Sequence, residues 1–134
     1  MNNSHGPHRV SDWFWDIIAQ AEGSRTKLIA ILMQFDYDQL NRFEYEYSYA
    51  AGYLQNKRFV EHMDGKSNDS VDDLTRWIVG KGKEFYMDVW NHPEHTPASE
   101  EYGDSNLAPA SWHVCLRNFG DKIDEFGDLP DEEN

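Results

Sequence analysis

The sequence contains one cysteine, Cys115, and a lone thiol cannot close a disulfide within the chain. It has no apolar run approaching the roughly 20 residues that a membrane-spanning helix needs. Its first ten residues, MNNSHGPHRV, are polar and lack the apolar stretch of a secretory signal. A reduced, cytoplasmic setting is the shared expectation. Positive charge is scarce as well: 12 Lys and Arg stand against 25 Asp and Glu, a formal net charge of -13. A field of that sign repels phosphate backbones and anionic lipid heads, so neither nucleic acid nor a membrane is an expected partner. There is no internal repeat and no Gly-rich phosphate loop. Gly80 and Gly82 flank a single lysine and are expected to end a helix, not to open one.

What the chain does have is aromatic surface. Five Trp, 7 Phe and 7 Tyr make up 14% of 134 residues. Disordered chains are poor in large rings, so a folded domain is expected despite a mean hydropathy of -0.82. The length suits one domain. Residues 1–10 are expected to form a tail, 11–126 a single helical domain and 127–134 an acidic tail.

The periodicity predicts an all-α, irregular bundle of about six helices. Ser11 can cap a first helix carrying Phe14, Ile17, Ile18 and Ala21, with Gly23 just past its end. A second helix is expected from Arg25 to Gln34, with Leu28, Ile31, Leu32 and Phe35 on one side. Asp36 and Gln39 have capping-box spacing and open the longest periodic stretch. Its stripe is Leu40, Phe43, Tyr47, Ala50 or Ala51, and Leu54. The alternation FEYEYSY would also suit a short strand, but the long helical register favours helix. After the turn-rich DGKSND, Ser70 and Asp73 form a second capping-box pair, with Asp72 near the positive end of the helix dipole. Val71, Leu74, Trp77 and Ile78 line that helix, and Phe85, Tyr86, Val89 and Trp90 a shorter one stopped by Pro93. A long loop over 91–108 leads to a helix from Pro109 with Trp112, Cys115, Leu116 and Phe119, then a short piece with Ile123 and Phe126. Trp13 or Phe14, Phe43, Leu74, Trp77 and Phe85 are expected in the core.

Three constellations invite chemistry. His92, Glu94 and His95 carry ligand types that suit zinc, but a built site needs three or four converging groups, and these sit in a Pro-flanked loop. No metal and no cofactor is expected. His113 and Cys115 are two residues apart, roughly 200° around a helix, so they cannot meet as a catalytic dyad. The third is Tyr45, Tyr49 and Tyr53 at i, i+4 spacing, with Glu44 and Glu46 interleaved. Tyrosine beside carboxylate makes a receptor for Arg and Lys. The same rings could instead pack in the core with their hydroxyls at its edge, and both readings stay open.

Four segments in order, DWFWDIIAQA (Asp12–Ala21), DYDQLNRFEYEY (Asp36–Tyr47), AAGYL (Ala50–Leu54) and DSVDDLTRWIVGKGKEFYMDVWNHPEH (Asp69–His95), resemble the bacterial family catalogued as domain of unknown function 4240. The resemblance rests on aromatic positions. His92-Pro93 stands where that family has Asp-Pro, and the Gly-Gly pair expected before Asp72 is missing. It implies an all-α bacterial cytoplasmic domain and brings no catalytic residue with it.

The reading these residues favour is a non-catalytic, acidic protein-binding module. Its most specific form is an immunity protein that neutralises a basic bacterial toxin. Glu44, Tyr45, Glu46, Tyr49, Asp72 and Asp73 are the candidate contact residues for a basic protein partner. The alternative is an enzyme of unrecognised type, metal-assisted through His92, Glu94 and His95.

Overall fold

Among the described residues, side chains that accept hydrogen bonds from orphan backbone N–H groups start five of the six α-helices of residues 10–99. The computed structural model describes residues 10–99 and Val114, and in these the helices are α1 (Asp12–Ala21), α2 (Arg25–Leu32), α3 (Tyr37–Tyr53), α4 (Lys57–Val60), α5 (Asn68–Gly80) and α6 (Lys83–Asn91). A 3₁₀ turn, Pro93–His95, follows. The fold is all-α, and among the described residues there is no strand. Ser11 Oγ accepts from the Phe14 N–H at 3.3 Å, and Ser24 Oγ from the Lys27 N–H at 3.1 Å. Asp36 and Gln39 form the reciprocal capping box: Asp36 Oδ1 accepts from the Gln39 N–H at 2.8 Å, and Gln39 Oε1 from the Asp36 N–H at 2.9 Å. FEYEYSY lies inside α3, so the helical register prevails over the local alternation. The exception at helix starts is α6, which opens at Gly82 with a φ of 109° and no side-chain cap. Gly82 therefore opens a helix while Gly80 closes the one before it, which corrects the expectation that both end one.

The start of α5 is also corrected. Its cap is Ser67, whose Oγ accepts from the Ser70 N–H at 3.1 Å, so Ser70 and Asp73 lie inside the helix. Gly65 explains part of this: a Cβ there would sit 2.8 Å from Ser70 Cβ, and only glycine lets the chain turn so close to the first turn of α5. Ser67→Ala should therefore cost about 1 kcal/mol in urea unfolding, the usual loss of an N-cap. Ser70→Ala should stay within about 0.5 kcal/mol, as a surface change does. The reverse order would restore the cap to Ser70.

The α3 stripe is the centre of the core: Leu40, Phe43, Tyr47, Ala50, Ala51 and Leu54 are each no more than 1% exposed. From α1, Phe14 meets Phe43 at 5.1 Å between ring centroids and Tyr47 edge-on at 5.7 Å. Leu28 and Leu32 of α2, Leu74, Trp77 and Ile78 of α5, and Tyr86 and Val89 of α6 complete it. Val10, expected in the tail, packs into this cluster, as does Val114, which is helical. The rest of the helix expected from Pro109, the piece with Ile123 and Phe126, residues 1–9 and the 127–134 tail lie outside the described residues. Phe85 departs from expectation. It is only half-buried, edge-on to Trp77 at the rim.

Two phenols are sealed in. The Tyr47 hydroxyl donates to the Arg76 carbonyl at 2.9 Å and that of Tyr86 to the Ala50 carbonyl at 2.7 Å. Burial pushes both groups well above the ordinary tyrosine range. A raised folded pKa favours the neutral form, so this contribution is complete below the unfolded value of about 10 and is lost as pH rises beyond it. In alkaline titration followed by tyrosinate absorbance, Tyr47 and Tyr86 should ionise only as the domain unfolds. Ionisation of all 7 tyrosines with the helical signal intact would contradict their burial.

Candidate functional site

The polar side chains of α3 divide between two sides of the helix, and each side is tied to a different partner. Glu44 and Ser48, one turn apart, face Asp72 and Arg76, one turn apart on α5. Arg76 donates to Glu44 Oε2 at 3.3 Å, to Ser48 Oγ at 3.2 Å and to Asp72 Oδ1 at 3.3 Å. Gln55 extends the seam by donating to Asp72 Oδ1 at 3.2 Å and to Thr75 Oγ1 at 2.9 Å. Burial works against the Arg76 charge, but Glu44 and then Asp72 outweigh it and raise its pKa. The guanidinium also lies 5.7 Å from the centre of the Tyr47 ring.

Glu46 points elsewhere. Its Oε1 accepts from the Ser11 N–H at 2.7 Å and from Ser11 Oγ at 2.9 Å, while Oε2 accepts from Arg42 Nε at 2.8 Å. Arg42 in turn lies 4.3 Å above the Trp13 ring, which stacks on Phe35 at 5.9 Å. One carboxylate thus fastens the N-terminal cap of α1 to the middle of α3.

The six candidate contact residues therefore do not form one exposed acidic face. Glu44 and Glu46 are buried and engaged by arginines, and two positions of separation turns them to different sides of α3. Asp72 is half-exposed within the Arg76 network, not a capping residue, and of the six Asp73 alone is exposed. Tyr45 and Tyr49 are half-buried, as is Tyr53, which meets Trp90 edge-on at 6.0 Å. Sequence reasoning missed Arg76, Ser48 and Arg42, and gave Ser11 its capping role but not its tie to Glu46. Two signals were present: Arg42–Glu46 and Asp72–Arg76 both have the i, i+4 spacing of helical ion pairs.

The surface charge has a pattern. Of the acidic residues in 10–99, only Glu44 and Glu46 are buried and Asp72 is half-exposed; all the others are exposed. Several cations are instead laid over rings: Arg42 on Trp13, Arg58 on Phe59 at 4.9 Å and on Trp90 at 5.4 Å, Lys81 on Trp77 at 5.2 Å. These ring-stacked cations are themselves exposed, so within residues 10–99 the surface is acidic because exposed carboxylates outnumber exposed Lys and Arg.

The histidine loop brings His92 and His95 together, ring centroids 4.8 Å apart, with His95 Nδ1 2.9 Å from Asp88 Oδ2 and His92 Nδ1 3.9 Å from Glu94 Oε2. Among the described residues no three His, Cys, Asp or Glu are grouped so as to hold a metal ion. His113 and Cys115 lie outside the described residues. A cleft of about 750 Å³ opens between the end of α1 and the Gly80–Lys83 turn. Trp15, Ile18 and Met87 line it, with Lys81, Lys83, Glu22 and Glu84 also on its walls. No described helix is long and apolar enough to cross a membrane. In comparison with known proteins, the chain matches no family model, no curated protein and no solved structure.

Proposed function

We propose that this protein is a non-catalytic, acidic module that binds a basic protein partner in the bacterial cytoplasm, and that in its most specific form it is an immunity protein neutralising a basic toxin. The observation that carries this reading is the excess of exposed carboxylates among residues 10–99 of a chain with a net charge of -13. Glu44 and Glu46 are each paired, with Arg76 and Arg42, and within residues 10–99 the exposed carboxylates outnumber the exposed Lys and Arg. The contact surface is centred on the solvent side of α5, at Asp69, Asp72 and Asp73, with half-buried Tyr45 or Tyr49 of the adjacent α3 as aromatic anchors. The resemblance to family 4240 adds shared ancestry to the proposal. The positions that carry it, Phe14, Phe43, Ala50, Ala51 and Trp77, are buried, so kinship would speak to the fold before it spoke to activity.

Electrostatic attraction acts on encounter more than on the docked state. Affinity capture from the native cell, followed by surface-plasmon kinetics, should recover a basic partner whose on-rate falls about tenfold or more from low to high salt. Dissociation should change much less. Asp73→Lys should slow association with the melting temperature held, and Tyr49→Ala should mainly speed dissociation. For the immunity form, expressing this chain should protect cells from the toxicity of the captured partner. An acidic partner, or an on-rate indifferent to salt, would leave the charge as a solubility feature.

A further inference from the structure

We draw no further inference here: the strongest candidate, the cleft of about 750 Å³ between the end of α1 and the Gly80–Lys83 turn, sets two lysines against two glutamates around an apolar lining, and nothing in the structure shows what covers it.

Discussion

Glu44→Lys should strongly destabilise the domain, not weaken an interface. The Glu44 side chain is 7% exposed and that of its partner Arg76 is 17% exposed. Reversal would set an ammonium against a guanidinium between α3 and α5 and leave both without the carboxylate between them. Breaking a largely buried pair from one side costs about 3–5 kcal/mol, and the lower end is expected here because Arg76 keeps half-exposed Asp72 as a second carboxylate partner. A small domain has only about 5–15 kcal/mol in total, so the change removes a large share of its stability. Urea unfolding followed by circular dichroism measures the loss. Glu44→Gln keeps an acceptor for Arg76 and should cost less than the reversal. The double variant Glu44→Leu with Arg76→Met should recover much of what either single change loses, since apolar groups of similar volume remove both desolvated charges at once. Asp73→Lys, one helix away and exposed, should change stability by no more than about 0.5 kcal/mol. If Glu44→Lys also stayed below about 1 kcal/mol, the pair would be no part of what holds α3 to α5.

The contrast between Glu44 and Asp73 shows what the sequence could reveal. Local signals were legible: the Asp36–Gln39 capping box, the α3 stripe from Leu40 to Leu54, and the Phe14–Ala21 face of α1 all rest on contacts within a few residues. The core followed from them, because a stripe at helical spacing has to be covered by something apolar. The fates of Glu44 and Glu46 did not follow. A carboxylate in a helix is ordinarily solvated, and what buries these two comes from far along the chain: Arg76 is 32 positions from Glu44, and Ser11 is 35 from Glu46. The start of α5 was missed for a different reason. Ser67 and Ser70 are both good caps, and the choice between them depends on how tightly the chain turns at Gly65, which hydrophobic periodicity does not report. The short α4 was missed because four residues, Lys57–Val60, are too few for any period to show.

Trp77→Ala should cost about 3–5 kcal/mol, and Trp77→Phe should cost far less than its lost volume suggests. Trp77 is 4% exposed, edge-on to Phe85 at 6.0 Å, with the Lys81 ammonium 5.2 Å from its ring centre. Truncation to alanine removes the whole indole from the core side of α5 and strips Phe85 and Lys81 of the surface they cover. That is the cavity penalty together with the lost transfer free energy. The indole N–H is the other half of the argument. Among the described residues, Trp77 Nε1 is a buried side-chain donor with no hydrogen-bond partner. An unsatisfied buried donor costs about 1–3 kcal/mol, and phenylalanine removes it while keeping a ring for Phe85 and Lys81 to pack on. The smaller ring gives up some contact, and relief of the orphan donor offsets it, so Trp77→Phe should fall within about 1 kcal/mol of the parent. Thermal and urea unfolding of the two variants side by side makes the test. A Trp77→Phe loss as large as that of Trp77→Ala would mean that the N–H is satisfied, and that the indole is held by a polar contact as well as by its shape.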